Sequence, residues 1–239
     1  STDEINGDEG VSRADYVASE DDNILVTGVA GDKNALAYFG YAYYLENKDK
    51  IKIVKIDGGG GCIEPNAGTV GDGSYSPLAR PIFIYVNVDE VKNRPEVRAF
   101  VNYYLGDGSQ YVSEVGYVQL SRADYDFQLA NIENAAPAPV ASGDAPIWKT
   151  MKFSGDIEID GSSTVFPITQ AVAEEFMKNY QPDVRVTVGV SGTGGGMKRF
   201  GVGETSISNA SRPMKDKENV VAVENGVEWT ELTVAYDGL

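Results

Sequence analysis

Three short runs of hydroxyl-bearing and glycine residues constrain the fold of this chain more than any other feature of its sequence. They lie at 160–167, 190–196 and 209–213, and each follows a segment typical of a β-strand and precedes one typical of a helix. Strands that alternate with helices predict a parallel or mixed sheet with helices on both faces. The three turns should then lie at one edge of that sheet, where the carboxyl ends of the strands meet helix N-termini.

Composition excludes several classes of function. The 239 residues include no histidine and one cysteine, Cys62. Histidine-dependent hydrolases, thiolate metal sites and an internal disulfide are therefore excluded, and we expect neither an enzyme nor a cofactor or metal site. The net charge is −16, from 36 acidic and 20 basic residues without a basic stripe, which argues against a nucleic-acid partner.

The first half of the chain has a less regular pattern than the second. Apolar runs predict strands at 24–29 and 51–56, a buried helix at 35–45, a buried strand at 81–86 and a helix at 95–105. Alternating prolines and alanines around 134–146 predict an extended linker. The sequence thus predicts two α/β halves joined by a linker.

The three turns contain donors suited to a small tetrahedral anion. Each hydroxyl can donate one hydrogen bond, and Arg212 offers a planar guanidinium for two contacts to an oxyanion. We also expect unpaired backbone N–H groups in the first helical turns. Any one serine or threonine here is more often a helix cap, but three such turns together favour a ligand site. The hydroxyls are those of Ser162, Ser163, Thr164, Ser191, Thr193 and Ser211, and the N–H groups are those of Val165, Phe166, Gly194 and Gly195.

These motifs resemble those of the PstS phosphate-binding proteins, the substrate-binding components of bacterial phosphate ABC importers. The segments 157–168, 186–196, 206–213 and 234–239 resemble the N-terminal part of the family, and the segments 12–23, 31–44 and 77–86 resemble its C-terminal part. The resemblance implies an α/β fold of the periplasmic-binding-protein type II class.

The order of these segments is reversed relative to the family, so the chain resembles a circular permutant with a truncated second lobe. The resemblance divides it into a remnant of the second lobe at 1–50, the C-terminal part of the first lobe at 51–133, a Pro/Ala linker at 134–150 and the N-terminal part of the first lobe at 151–239. The missing segment could come from a second chain, the truncation could be deliberate, or the chain could be a diverged assembly subunit.

The resemblance also assigns the phosphate-binding residues. On the first lobe they are Ser163, Thr164, Val165, Ser191, Thr193, Gly194, Ser211 and Arg212, and on the opposite side they are Ser12, Arg13 and Asp15. A buried Asp15 would accept the proton of hydrogen phosphate and repel sulfate, whereas the alternative role for Asp15 is a helix cap.

Two functions remain open from the sequence. The first is phosphate binding for a membrane permease of a phosphate ABC importer, by a protein exported to the periplasm or cell surface. The second is a non-catalytic assembly or scaffold subunit, in which another chain supplies the missing segment.

Overall fold

The structure is a computed structural model that describes residues 15–19, 21–137 and 146–239. Its first half contains small elements before one long strand and a set of helices. In chain order these are α1 (Asp22–Gly31), α2 (Tyr41–Asn47), β1 (Ile56–Asp57), β2 (Cys62–Ile63), α3 (Ala67–Gly71), β3 (Ala79–Asn87), α4 (Val88–Asn93), α5 (Pro95–Leu105), α6 (Tyr111–Glu114) and α7 (Arg122–Ala135).

The second half alternates strands and helices as the sequence predicts. Its elements are α8 (Ile147–Thr150), β4 (Gly155–Gly161), α9 (Phe166–Glu175), β5 (Val184–Val188), α10 (Gly192–Gly201), β6 (Ile207–Ala210), α11 (Asp216–Glu224) and β7 (Trp229–Gly238). None of the helices within the described ranges is both long and apolar enough to span a membrane.

Five strands form one mixed sheet in the order β5-β4-β6-β3-β7. Strand β4 runs parallel to β5 and β6, whereas β3 runs antiparallel to both β6 and β7. The only strand from the first half of the chain in this sheet therefore lies between two strands from the second half. This arrangement confirms the predicted fold class, an α/β fold with a mixed sheet.

Both faces of the sheet are covered, as the side chains of β3 illustrate. Ile82 and Ile84 join the larger core, which includes Phe100 of α5 and the aromatic ring of Phe176 beyond α9. Tyr85 points to the other face and packs in a smaller core with Phe200 of α10. A strand buried on both faces reads as a continuous apolar run, which is why 81–86 was predictable.

Three predictions for the first half were wrong. The segment 24–29 is helical, because Asp21 caps α1 and Val26 and Val29 are spaced to face one small cluster. Only the end of the predicted helix at 35–45 is helical, and Leu36 and Tyr38 are largely exposed.

The predicted strand at 51–56 also has no sheet to join within the described part of the chain. Of the residues 51–56, only Ile56 pairs, in the hairpin formed by the two-residue strands β1 and β2.

The predicted linker at 134–150 is shorter than expected, because α7 continues to Ala135 and Trp148 of α8 is buried. Its middle, 138–145, lies outside the described residues. The lobe boundaries, the permutation and the truncation stay predictions.

Candidate functional site

The three turns meet at the carboxyl edge of the parallel strands. The N–H of Ser191 donates to the carbonyl of Gly161 at 3.1 Å, and the N–H of Ser162 donates to the carbonyl of Asn209 at 3.0 Å. The N–H of Ser211 donates to the hydroxyl of Thr193 at 3.2 Å. Each turn is thus hydrogen-bonded to another, which fixes the relative positions of the hydroxyls.

Glycine allows this close approach. Gly161 ends β4 with φ +138°, and a Cβ at that position would lie 2.2 Å from the carbonyl oxygen of Asn209. A Cβ on Gly196 would lie 2.5 Å from the Cα of Gly161, so α10 packs directly against the end of β4. The small residues of the sequence motif are therefore needed for packing.

The first turn of α10 leaves backbone donors at this edge. The helix begins at Gly192, and the exposed side chain of Ser191 does not cap it. The N–H groups of Thr193 and Gly194 therefore belong to the first turn, whereas that of Gly195 lies one residue further in, where an intrahelical acceptor is expected. Thr193 and Ser211 are partly buried and their hydroxyl oxygens are 3.3 Å apart.

The turn before α9 differs from the prediction. The N–H groups of Val165 and Phe166 donate to the carbonyl of Ser162 at 3.2 and 3.0 Å, so the expectation that they are unpaired was wrong. Val165 is fully buried and packs in the main core. Because a turn precedes the helix here, these two amides form hydrogen bonds within the turn and are not available to a ligand.

Thr164 lies in a buried charged cluster that the sequence reasoning missed. The guanidinium of Arg80 lies 3.5 Å from the hydroxyl of Thr164 and 3.3 Å from a carboxylate oxygen of Asp237. The side chain of Asp237 is fully buried, whereas that of Arg80 is 29% exposed. The Nε of Arg80 is buried and has no hydrogen-bond partner among the described residues.

The register of the antiparallel strands explains this cluster. Arg80 lies directly opposite Asp237 where β3 begins and β7 ends, at the same edge as the three turns. Both residues fall within the segments 77–86 and 234–239 on which the family resemblance rests. A charged residue at the end of an apolar strand was the signal that could have identified them.

Burial raises the pKa of Asp237 to about 6. Arg80 and the N–H of Tyr41, which donates to the carboxylate at 3.2 Å, stabilise the charged form and limit this rise. The nearby carboxylate of Asp22 adds to it. Asp237 is thus a buried carboxyl group that can gain or lose a proton near neutral pH.

Asp237 should make folding stability depend on pH. Because its folded pKa lies above its ordinary value of 3.8, the native state holds this proton more tightly than the unfolded chain. The stabilisation from this bound proton should be full below about pH 4 and be lost as the pH rises through about 6. Between these pH values, the free energy of unfolding of an Asp237→Asn variant should therefore rise by up to about 3 kcal/mol relative to that of wild type.

Urea denaturation at pH 4, 5, 6 and 7 measures this difference. Asp126→Asn is a suitable control, because the side chain of Asp126 is 61% exposed. If wild type and Asp237→Asn show parallel pH profiles, then Asp237 does not titrate in this range.

Arg212 is engaged by a neighbouring carboxylate. Its guanidinium donates to both oxygens of Glu218, at 2.9 and 2.7 Å. Burial disfavours the ionised form of Glu218, but the bonds from Arg212 and the N–H of Lys215 outweigh it, and the pKa of Glu218 lies below its ordinary value. Arg212 therefore lies beside Gly194 as half of an ion pair, with less positive charge to offer than predicted.

The opposite side of the site differs from the prediction. Asp15 is exposed, and residues 16–19 after it form no helical turn. Its contact with phosphate stays a prediction. Ser12 and Arg13 lie outside the described residues. Ser163 faces α1 and α2: its hydroxyl lies 3.5 Å from Asp22, and its carbonyl accepts a hydrogen bond from Tyr43.

Comparison with known proteins agrees with this fold. A family model described as a PBP superfamily domain matches residues 134–239. The protein SphX of Synechocystis sp. is 38% identical over 144 residues, which are 60% of this chain and 43% of SphX. The phosphate-binding protein PstS of Staphylococcus aureus is 40% identical over 114 residues, which are 47% of this chain and 35% of PstS. The chain is homologous to these proteins over those stretches and spans less than half of their length.

A solved structure extends the agreement to the whole fold. The phosphate-binding protein of a phosphate ABC transporter from Streptococcus pneumoniae superposes with a TM-score of 0.61 at 20% identity. The match covers 99% of this chain and 80% of that protein. The chain therefore has the fold of a periplasmic-binding-protein domain.

Proposed function

We propose that this chain binds inorganic phosphate as the substrate-binding component of a phosphate ABC import system. The observation that carries the proposal is the convergence of three kinds of donor at one sheet edge: the hydroxyls of Thr164 and Thr193, the first-turn amides of α10 and the guanidinium of Arg80. Homology to PstS, which is named a phosphate-binding protein, supports the choice of phosphate among small anions.

Asp237 supplies the selectivity that was expected of Asp15. A protonated phosphate has a hydroxyl that a buried carboxylate accepts, whereas fully ionised sulfate has none and is repelled. Arg80 lies 3.3 Å from Asp237, so one guanidinium can contact the anion and the carboxylate together. In this proposal, Asp237 distinguishes the two anions.

Isothermal titration calorimetry with phosphate, arsenate and sulfate tests this function. We expect sub-micromolar to micromolar binding of phosphate, competition by arsenate and no competition by sulfate. Absence of heat with phosphate, at protein concentrations where circular dichroism shows a folded chain, would contradict the proposal.

A second copy of the chain completing the site is part of the same proposal. The exposed apolar side chains favour such a contact: Tyr16, Val17, Leu36 and Tyr38 are between 60% and 82% exposed and lie in the segment that resembles the second lobe. The same titration at two protein concentrations tests this point. Affinity that rises with protein concentration supports a second copy, and constant affinity together with a monomer in sedimentation at both concentrations excludes it.

Export to the periplasm or cell surface and delivery to a membrane permease follow from the proposed import function. No cluster of three or more potential metal ligands occurs among the described residues. We propose a binding role without catalysis because the relative PstS is named a phosphate-binding protein.

A further inference from the structure

The hydroxyl of Tyr117 is a buried polar group that has no hydrogen-bond partner among the described residues. The residue is only 4% exposed and packs in the main core. Buried hydroxyls in proteins are nearly always hydrogen-bonded, because an unpaired donor in the interior lowers stability. The position of this hydroxyl therefore requires an acceptor that the described residues do not supply.

Tyr117 lies across from Asp237 at the sheet edge that carries the proposed phosphate site. The neighbouring pair, Val118 and Tyr236, exchanges two antiparallel backbone hydrogen bonds, at 3.1 and 2.9 Å. In that register the next pair is Tyr117 and Asp237, and directly opposite residues place their side chains on the same face. Arg80 lies opposite Asp237 on its other side. The side chains of Tyr117, Asp237 and Arg80 are therefore neighbours on one face.

A second unpaired donor belongs to the same group of side chains. The Nε of Arg80 is buried and also lacks a hydrogen-bond partner within the described part of the chain. The carboxylate of Asp237 instead accepts from another nitrogen of Arg80 and from the N–H of Tyr41. Burial raises the pKa of Tyr117 well above its ordinary value, and the charge of Asp237 adds to the rise. The hydroxyl of Tyr117 therefore keeps its proton and stays a donor near neutral pH.

The surroundings of this group favour a small acceptor with several oxygens. A Cβ on Gly40 would lie 3.3 Å from a carboxylate oxygen of Asp237 and 3.5 Å from the methyl carbon of Thr164, so α2 begins close against them. The hydroxyl of Thr164 lies 3.5 Å from the guanidinium of Arg80. Oxygens that diverge from one centre can accept from Tyr117, Arg80 and Thr164 together, and a tetrahedral oxyanion has this geometry.

We propose that the hydroxyl of Tyr117 donates a hydrogen bond to an oxygen of the bound phosphate. The same anion gives the Nε of Arg80 its acceptor, while Asp237 accepts the proton of hydrogen phosphate between them. This inference rests on the proposed function, because it uses the same anion. It adds a binding residue that lies outside every segment on which the family resemblance rests.

The substitution Tyr117→Phe tests the inference, because it keeps the ring and removes only the hydroxyl. In calorimetry, we expect the affinity for phosphate to fall about tenfold, which corresponds to the loss of one hydrogen bond to a charged group. Without phosphate, the urea midpoint should equal or exceed that of wild type, because the substitution removes an unpaired donor from the interior. Excess phosphate should then raise the midpoint of wild type more than that of the variant.

Tyr125→Phe is the matched control. The hydroxyl of Tyr125 is also buried, but it donates to the carbonyl of Val234 at 2.7 Å. Its removal should lower the urea midpoint and leave the affinity for phosphate within about twofold of wild type.

The combination of affinity and stability separates the outcomes. If wild type binds phosphate and Tyr117→Phe binds it equally well, the inference is overturned and the phosphate function stands. If Tyr117→Phe lowers the urea midpoint without phosphate, the hydroxyl has a structural partner such as a buried water, and the inference is overturned whether or not the affinity also falls. If wild type does not bind phosphate, the proposed function and this inference both fail.

Discussion

Replacing Arg80 by alanine should weaken phosphate binding by about 100-fold or more. Arg80 is the one basic side chain described here at the junction of Thr164 and Asp237, and its side chain is 29% exposed. A hydrogen bond to a charged group contributes roughly 1.5–3 kcal/mol, and the loss of two such bonds corresponds to a factor of about 100 or more. Calorimetry with phosphate measures the loss directly.

The substitution also leaves Asp237 buried without its cation, so the loss of binding must be separated from a loss of folding. An Arg80→Ala/Asp237→Asn double variant removes both charges and should recover stability without recovering phosphate affinity. Arg122→Ala changes the net charge equally at a side chain that is 57% exposed, and it should bind phosphate like wild type. Wild-type affinity in Arg80→Ala would remove Arg80 from the site.

The fold is predictable from the sequence where one pattern has one structural solution. In the second half of the chain, alternating strands and helices with glycine-rich turns have few arrangements other than a sheet with its turns at one edge. The run at 81–86 is apolar on both faces, and only a central strand buries both faces. Its antiparallel direction could not be read from its composition, because direction depends on how the chain returns to the sheet.

The first half was harder to predict because local preference and tertiary contact disagree there. The segment 24–29 is rich in β-branched residues, but Asp21 caps a helix at that point and only two valines pack inward. Gly40 interrupts the apolar run at 35–45, and it is extended where it lies against Asp237 and Thr164. The contacts of Gly40 with Thr164 and Asp237 join residues more than 100 positions apart, so no short stretch of sequence contains both partners.

The sequence indicated the hydroxyl groups at the candidate site but not its pair of charged residues. Hydroxyls follow the strands in sequence and were visible as motifs. The pairing of Arg80 with Asp237 joins residues 157 positions apart and exists only through the register of β3 and β7. Arg212 was predicted as a free cation, but Glu218, six residues later in the next helix, forms an ion pair with it.

Replacing Gly161 by alanine should destabilise the fold by about 3–5 kcal/mol and remove phosphate binding. At φ +138° alanine is strained, and its Cβ would lie 2.2 Å from the backbone carbonyl of Asn209, which cannot move without breaking the contact between β4 and β6. The carbonyl of Gly161 also accepts the N–H of Ser191, so a shift of this residue separates two of the three turns. Urea denaturation gives the change in unfolding free energy, and calorimetry below the transition gives the change in binding.

Two other glycines separate the causes of that effect. Gly59 has φ +104° with open space around its Cβ position, so Gly59→Ala should show the backbone strain alone, about 1–2 kcal/mol. Gly28 lies inside α1 with open space and no positive φ, so Gly28→Ala should stabilise by about 0.5–1 kcal/mol. If Gly161→Ala lowers the free energy of unfolding no more than Gly59→Ala does, the backbone of Asn209 can shift at little energetic cost. The close approach of β4 and β6 would then not be what holds the turns together.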